Sequence, residues 1–188
     1  MTIPADHPKI KPAKIGVILA NLGTPDATDY WSMRKYLSQF LSDKRVVDYS
    51  AWLWQPLLQG IILTRRPFSS GKAYRSIWNN ELNESPLLTT TRLQANAVKK
   101  EVEKIYGNDV IVDFAMRYGN PSTESVIKNL KDQGVEKIVF FPLYPQYAGP
   151  TTATANDEAF RTLMKMNWQP SIRTVAAYFD NPLYINAL

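Results

Sequence analysis

The chain has 188 residues, of which 45% are hydrophobic and 21% charged, so it is large enough to bury the core of one domain. It contains no cysteine, which excludes disulfides, thiolate zinc sites, cysteine-ligated iron–sulfur clusters and cysteine nucleophiles. The formal net charge of +5 favours an acidic partner. It does not distinguish nucleic acid, an anionic membrane surface and an anionic small molecule.

Residues 1–13, MTIPADHPKIKPA, are polar and rich in proline, which predicts a flexible N-terminal arm before a domain that spans 14–188. The arm lacks the apolar run of a secretory signal peptide, so we expect a cytoplasmic protein. The only histidine of the chain, His7, lies in this arm.

An apolar run, IGVILANL, follows Lys14 and stops at Gly23, Thr24 and Pro25. A run of this length that ends at a turn is typical of a strand buried on both faces of a parallel sheet. The next segment has apolar residues at spacings of three and four, which predicts an amphipathic helix. These residues are Tyr30, Met33, Tyr36, Leu37, Phe40 and Leu41.

The apolar segment 49–63, YSAWLWQPLLQGIIL, is interrupted by a proline and a glycine. It is shorter than the roughly 20 residues that cross a bilayer, so we do not expect a transmembrane helix. Trp52 and Trp54 in this segment, with Trp78 beyond it, have two interpretations. They pack into the core, or they form an apolar lip that touches a membrane.

The rest of the chain alternates helices and strands. The most regular helix runs from Arg92 to Tyr106, with Thr89 to Thr91 as candidate N-caps and Gly107 as its stop. Asn120 and Pro121 are expected to open a later helix, which Gly134 ends. The remaining predicted elements are strands at 109–116, 137–145 and 172–178 and a helix around 156–166.

The last predicted element is a helix that Asn181 caps and Pro182 opens. Only a handful of residues follow before Leu188, so we expect the chain to stop inside this helix.

This alternation predicts an α/β fold with an open parallel sheet and helices on both faces. Ligands of such sheets bind beyond the carboxyl ends of the strands. The three ends of interest are 21–25 (NLGTP), 115–121 (AMRYGNP) and 142–147 (PLYPQY). They offer one arginine, several aromatic rings and no acidic residue.

These strand ends contain neither a P-loop nor a dinucleotide-binding glycine turn, and the chain has no G-x-S-x-G elbow. Nucleotide binding and serine-hydrolase chemistry are therefore disfavoured. An apolar, aromatic cleft with a few arginines suits a large flat ligand with carboxylates on its rim. A porphyrin meets this description, and on composition alone so does a flavin or an aromatic metabolite.

Four segments, taken in order, resemble the N-terminal half of ferrochelatases over roughly residues 14–188. They read LANLGTPD, RRP…AYRSIW…ESPL, MRYGNPS and FFPLYPQY…TTAT. The resemblance implies one of the two similar chelatase-like domains that enclose the active cleft of these enzymes. It also implies the family's reaction, the insertion of ferrous iron into protoporphyrin IX in heme biosynthesis. Porphyrin and ferrous iron are then substrates, no resident cofactor is expected, and no nucleic acid is bound.

The resemblance assigns porphyrin-binding roles to six residues. Leu22 would lie against the macrocycle. Arg66, Tyr74 and Ser85 would line a lip that holds the propionates. Arg117 and Tyr118 would lie inside the cleft near the path of the metal. The six are Leu22, Arg66, Tyr74, Ser85, Arg117 and Tyr118. For Arg117, a strand-end arginine in an apolar run needs an acidic partner or an anionic ligand, which favours the functional interpretation.

Other residues near these segments are weaker candidates, namely Arg65, Tyr144 and Tyr147. Arg65 and Arg66 also suit a solvated helix end, and the two tyrosines also suit packing or turn positions. Leu22 has the alternative of a buried strand-end residue.

The family's catalytic histidine and acidic residues lie in its second half, so their expected place is beyond Leu188, and no residue of this chain matches them. We therefore assign no catalytic residue and no metal ligand, and expect the second domain to be absent and the chain to be inactive alone. Some members bind an iron–sulfur cluster, but here Gly149 stands where one ligand is expected.

The uncovered cleft face of a single domain predicts self-association. Two alternative functions remain: a non-catalytic porphyrin- or heme-binding module, and a chelatase for another metal and tetrapyrrole.

Overall fold

The computed structural model of the chain describes residues 13–188, so His7 and the rest of 1–12 lie outside the described residues. The strands are β1 (Lys14–Thr24), β2 (Val110–Gly119), β3 (Val135–Pro142) and β4 (Ser171–Thr174). The helices are α1 (Tyr30–Leu41), α2 (Ala51–Leu57), α3 (Leu63–Ile77), α4 (Pro86–Tyr106), α5 (Thr123–Asp132), α6 (Thr154–Met164) and α7 (Pro182–Asn186).

The four strands form one parallel sheet in the order β2-β1-β3-β4. β1 is an inner strand that pairs with β2 over Ile15–Thr24 and with β3 over Lys14–Ala20. Each parallel neighbour is reached through a helical connection, because a parallel pair cannot be joined by a tight turn. The predicted α/β fold is confirmed.

Helices cover both faces of the sheet. On one face, Ile18 and Phe140 pack with α5 and α6 in a core that also contains Ile127 and Ala159, and all four side chains are fully buried. On the other face, Asn21 of β1 donates a side-chain hydrogen bond to Thr91 Oγ1 of α4 at 3.0 Å. Because alternate residues of a strand point to opposite faces, β1 is covered on both sides.

A second hydrophobic cluster lies at the carboxyl end of β1 and β2. It joins α1 and α3 through Met33, Leu37, Leu58 and Leu63, and it includes Tyr118 at the end of β2. This cluster fixes the helices α1 to α3 over the edge of the sheet where ligands of parallel sheets bind.

The predicted start of the long helix is wrong. Its N-cap is Ser85, whose hydroxyl accepts a hydrogen bond from the Leu88 N–H at 3.2 Å, and Pro86 takes the first helical position. Thr89 to Thr91 lie inside the helix, where the Thr91 hydroxyl donates to the Leu87 carbonyl at 2.7 Å. By local criteria, a serine before a proline and a run of threonines are equally good helix starts. Tertiary contacts determine at which of them the helix begins.

The predicted cap at Asn120 and Pro121 is also wrong. α5 is capped by Ser122, whose hydroxyl accepts from the Ser125 N–H at 3.1 Å. The Pro121 carbonyl instead accepts from the Met116 N–H at 2.7 Å, so this segment folds back along β2.

At the end of the chain, the cap at Asn181 is confirmed, because its side chain accepts from the Leu183 N–H at 2.9 Å. α7 ends at Asn186 and Ala187 is its C-cap, so Leu188 lies outside the helix. The Leu188 N–H donates to the Ile185 carbonyl at 3.3 Å, an i to i−3 bond that tightens the last turn. Leu188 is 87% exposed and packs into neither hydrophobic cluster.

Other boundaries differ by a few residues. β4 ends at Thr174 rather than 178, and β3 runs from Val135 to Pro142 rather than from 137 to 145. The apolar segment 49–63 forms α2, a π-helical turn over Leu58–Ile62 and the first residue of α3. Within residues 13–188, no helix is long and apolar enough to cross a membrane.

The ends of β1 and β2 approach each other closely at Gly23. Its φ is +103°, and a Cβ placed there would lie 1.8 Å from the Tyr118 carbonyl oxygen. Only glycine tolerates both the backbone conformation and the contact. Gly23 therefore allows the backbones of β1 and β2 to pair closely at Tyr118.

We expect Gly23→Ala to lower the free energy of unfolding by at least about 2 kcal/mol, because the new methyl must displace the β2 backbone. Urea titration followed by circular dichroism measures this change. The matched control is Gly60→Ala, since a Cβ at Gly60 meets nothing within 4 Å and alanine favours helix. Equal stability of the two variants would contradict the close approach.

Candidate functional site

The sheet has a topological switch point at the carboxyl end of β1. The chain after β1 leads by way of α1 to α3 into α4 on one face, whereas β3 leads into α6 on the other. The connections therefore diverge between β1 and β3, which opens a crevice where ligands of such folds bind. Leu22 lies on the β1 side of this crevice, and Tyr144 lies just past the end of β3.

Arg117, near the end of β2, is held by two acidic residues. Its side chain is 11% exposed, and its Nη2 lies 2.5 Å from Asp43 Oδ2. Its Nη1 lies 3.4 Å from Glu158 Oε2, and its Nε donates to Thr154 Oγ1 at 2.7 Å. The acidic partner that the sequence argument required is thus present in the chain, so the cost of burial alone does not demand a ligand at Arg117.

Tyr118 is the next residue and is 1% exposed. Its hydroxyl donates to Asp43 Oδ2 at 2.9 Å, and its ring meets Phe40 edge to face at a centroid distance of 5.2 Å. The Arg117 guanidinium carbon lies 4.4 Å from the centroid of the ring. Burial raises the pKa of Tyr118 to about 12, so the phenol is neutral at physiological pH.

Asp43 is the shared hydrogen-bond acceptor of Arg117 and Tyr118. One carboxylate oxygen accepts from Arg117, Tyr118 and Thr154, and the other accepts from the Arg45 N–H at 2.8 Å. Burial works to raise the pKa of Asp43, but the hydrogen bonds from Thr154, Arg45 and Tyr118 and the charge of Arg117 outweigh it, so the pKa is lowered. Asp43 is therefore a carboxylate at neutral pH.

A polar groove of about 1020 Å³ leads to this network from the surface. Its walls carry both charge signs, and Arg45 forms a two-point ion pair with Asp157 at 2.5 and 3.1 Å. Across residues 13–188, no group of three His, Asp or Glu side chains is placed to hold a metal ion. The charged lining residues include Asp43, Arg45, Arg117, Glu124, Asp157 and Glu158.

Three of the six predicted porphyrin-binding residues meet in one place. Leu22, Tyr74 and Tyr118 all belong to the hydrophobic cluster of α1 and α3. Tyr36 links them, because its ring meets Tyr74 edge to face at 6.2 Å and its hydroxyl donates to the Gly23 carbonyl at 3.3 Å. The result is an aromatic wall at the carboxyl edge of the sheet.

The predicted lip residues Arg65, Arg66 and Ser85 lie on α3 and at the start of α4. Arg65 and Arg66 are exposed on α3, and Arg66 lies two turns before Tyr74 on the same helix. Ser85 is 2% exposed at the start of α4, and its capping hydroxyl keeps its own proton free to donate.

The two tyrosines that follow β3 differ in their surroundings. The buried Tyr144 hydroxyl has no partner within residues 13–188, and burial raises the pKa of this residue. Tyr147 is 64% exposed.

The family of the chain follows from comparison with known proteins. The ferrochelatase family model matches residues 14–188. The chain is 62% identical over 186 residues to the ferrochelatase of Rhodobacter capsulatus, covering 98% of this chain and 53% of that protein. It is 56% identical to the ferrochelatase of Agrobacterium fabrum and 58% identical to that of Allorhizobium ampelinum, in each case over 99% of this chain and 54% of the relative.

The chain belongs to the ferrochelatase family. It spans about half the length of the curated ferrochelatases that it matches. The matched region begins with β1, reaches Leu188 and contains every strand and helix described above.

Sequence reasoning missed the residues that contact Arg117, namely Asp43, Thr154 and Glu158. Asp43 lies in the loop after α1. Its position directly after the end of a helix is the only feature of the local sequence that could have marked it as a site residue. Thr154 belongs to the quoted TTAT segment, and Glu158 lies four residues later on the same face of α6. The spacing of Thr154 and Glu158 is visible in the sequence, but the hydrogen bond between Thr154 and Asp43 is not.

The three tryptophans have different environments. Trp54 donates from its indole to the Leu41 carbonyl at 2.7 Å, and Trp78 is 8% exposed and donates to Asn83 Oδ1 at 3.1 Å. Trp52 is 75% exposed on α2, a helix that buries none of its residues. Further exposed apolar side chains on α2, the π-helical turn and α3 are Leu53, Leu57, Ile61 and Phe68.

We expect Asp43→Asn to lower the free energy of unfolding at pH 7 by about 3 kcal/mol, because it breaks a buried ion pair and leaves only Glu158 opposite Arg117. The pKa of Asp43 is lowered, so its stabilisation is complete above the usual carboxyl pKa and is lost as the pH falls through the lowered one. The stability difference from the parent chain should therefore shrink in acid. Chemical denaturation at neutral and acidic pH measures both effects.

The control for this experiment is Glu101→Gln, which removes an exposed pair with Lys104. Its effect should stay below about 1 kcal/mol at both pH values. A pH-independent loss in Asp43→Asn would show that the carboxylate charge is not what stabilises the network.

Proposed function

We propose that residues 14–188 supply the N-terminal, porphyrin-binding half of a ferrochelatase that inserts ferrous iron into protoporphyrin IX in heme biosynthesis. The observation that carries the proposal is the aromatic wall, where Leu22, Tyr74 and Tyr118 lie in one cluster at the carboxyl edge of the sheet. The family match adds the reaction class.

In this proposal the macrocycle lies against the aromatic wall beside Leu22, and its propionates reach the outer rim. Arg66 is exposed on α3 and gives a charge-assisted hydrogen bond to a propionate. Tyr74 contributes a ring face and a hydroxyl, and Ser85 contributes the free proton of its capping hydroxyl. Arg65 supports the same rim as a second cation.

Metal insertion also requires a base, because two pyrrole protons leave as iron enters. Arg117 is a cation paired with Asp43 and Glu158, and Tyr118 is a neutral phenol whose pKa is about 12. Asp43 is ionised, but its lowered pKa and its four donors make it a weak base. We therefore propose that the base belongs to a second half beyond Leu188 and that the chain alone does not insert iron.

The proposal also covers location and partners. The protein works in the cytoplasm, takes porphyrin and ferrous iron as substrates and binds no nucleic acid. Residues 1–188 offer no cysteine ligand to an iron–sulfur cluster. The cleft face, without a facing wall, favours self-association. The two rival functions, a non-catalytic porphyrin- or heme-binding module and a chelatase for another metal, predict binding without iron insertion in the full-length context.

The exposed side chains around Trp52 support a peripheral membrane contact as a second proposal. An apolar surface beside the cations Arg65 and Arg66 suits an anionic bilayer, from which an apolar porphyrin can be taken up. Because α2 buries none of its residues, this surface can change without unfolding the domain.

For porphyrin binding, we expect Arg66→Ala to weaken the affinity of the purified chain for mesoporphyrin about tenfold, the effect of losing one charge-assisted hydrogen bond. Fluorescence titration measures it, and a ferrous-iron insertion assay on the same sample should show no product. The matched control is Arg173→Ala on β4, which should bind normally. Failure of the parent chain to bind mesoporphyrin would overturn the proposed binding role. Iron insertion by the parent chain would overturn its proposed inactivity.

For membrane contact, we expect Trp52→Ala to reduce co-sedimentation with phosphatidylserine vesicles about tenfold, because a large apolar side chain no longer enters the interface. Trp168→Ala is the control, since Trp168 is 45% exposed but lies between α6 and β4. Equal sedimentation of the two variants would refute the contact at α2.

A further inference from the structure

The segment from α2 to the first turn of α3, residues 51–66, is attached to the domain by few buried side chains. We call it the α2–α3 flap. Only Leu58 and Leu63 within it are buried, and both lie fully buried in the hydrophobic cluster with α1. A segment with so little buried surface opens more easily than the strands of the sheet, so its polar contacts determine how firmly it stays closed.

A proline in α3 leaves one carbonyl of the flap without its helical donor. In an α-helix, the carbonyl of Leu63 accepts a hydrogen bond from the N–H of residue 67. Residue 67 is a proline inside α3, and proline has no N–H. Because Leu63 is 0% exposed, water does not replace this donor. A buried carbonyl without a donor is unfavourable, so the donor must come from another part of the fold.

Arg34 of α1 supplies this donor. Its Nη1 donates to the Leu63 carbonyl at 2.6 Å, and its Nη2 donates to the Gln59 carbonyl at 3.3 Å and to Gln59 Oε1 at 3.1 Å. The Tyr30 hydroxyl also donates to the Leu63 carbonyl, at 3.1 Å. Within residues 13–188, every hydrogen bond of the Arg34 side chain goes to the flap. A charged guanidinium is a stronger donor than a neutral amide, so α1 more than replaces the missing N–H.

The flap has one further tie to the end of α1, whereas the rest of α3 is fixed more tightly. The indole of Trp54 donates to the Leu41 carbonyl at 2.7 Å. Beyond the flap, α3 lies so close to the loop before α1 that a Cβ at Gly71 would be 2.6 Å from the Thr28 carbonyl oxygen. The flap is therefore the part of this helical region that can separate from α1 while the rest of α3 stays in place.

We infer that Arg34 is a latch that keeps the α2–α3 flap closed on α1 by taking the place of the amide that Pro67 lacks. Opening the flap breaks the hydrogen bonds of Arg34 together and leaves the Leu63 carbonyl without a donor. The flap ends in the exposed cations Arg65 and Arg66, so the latch determines where these cations lie. Because no ligand is needed, the latch is independent of the proposed function.

Hydrogen exchange followed by mass spectrometry on the 188-residue chain tests the latch, with β1 as the internal reference. One variant is Arg34→Met, which keeps an apolar stem but has no donor. Another is Pro67→Ala, which restores a backbone N–H inside α3, and a third combines the two changes. Lys35→Met is the matched control, because Lys35 is the next residue of α1 and forms an exposed ion pair.

We expect Arg34→Met to speed the exchange of the flap about tenfold, the effect of losing one charge-assisted hydrogen bond, without changing β1. The double variant should return to within about threefold of the parent chain, because the alanine N–H at position 67 donates to the Leu63 carbonyl. Pro67→Ala alone should exchange no faster than the parent chain, and Lys35→Met should match it. Tyr30→Phe removes the second donor to the same carbonyl and should speed the exchange about threefold, which tests the latch independently.

Other results overturn the inference. Unchanged exchange in Arg34→Met, or in Tyr30→Phe if Arg34→Met does not fold, would show that these donors do not hold the flap. A double variant as fast as Arg34→Met would show that Arg34 acts without replacing the amide of residue 67. Equal acceleration of the flap and β1 would show that Arg34 stabilises the whole domain. Porphyrin binding affects none of these outcomes and tests the proposed function separately.

Discussion

The carboxylate of Asp43 is the contact on which the edge of this sheet depends. It follows α1, and it accepts hydrogen bonds from Arg117 and Tyr118 of β2 and from Thr154 at the start of α6. Three segments far apart in the chain are thereby joined at one oxygen. Since a buried carboxylate without donors is strongly unfavourable, these segments are held together or the site does not form.

This contact also determines the chemistry of its neighbours. The charge that Arg117 brings into an apolar region is balanced inside the domain, and the Tyr118 phenol is kept neutral by burial. Tyr36 and Tyr118 are buried, so Leu22 and Tyr74, which are half-buried, are the members of the wall that a ligand can reach. The cations Arg65 and Arg66 are exposed on α3. Such a division suits a ligand with apolar faces and an anionic edge.

The sequence predicted the alternation of strands and helices because that pattern is local. The apolar run before Gly23 indicates a strand without reference to the rest of the chain, and the periodic apolar residues of α1 indicate a helix in the same way. Sequence reasoning failed at the helix starts, since a threonine run and Ser85 are equivalent caps by local criteria. Asp43 could not be paired with Arg117 in advance, because no spacing in the chain reports an approach between residues 43, 117 and 154.

The pairing of β1 has a consequence for how the domain is made. Ile15 pairs with Val110 on one side and with Lys137 on the other, so the central strand must wait for partners that are synthesised much later. Folds dominated by contacts of such long sequence separation fold slowly, and their unpaired strand edges are exposed meanwhile. The crevice at the end of β1 is therefore among the last parts to be completed. Until β2 and β3 have both been synthesised, the apolar residues of β1 stay exposed and prone to aggregation.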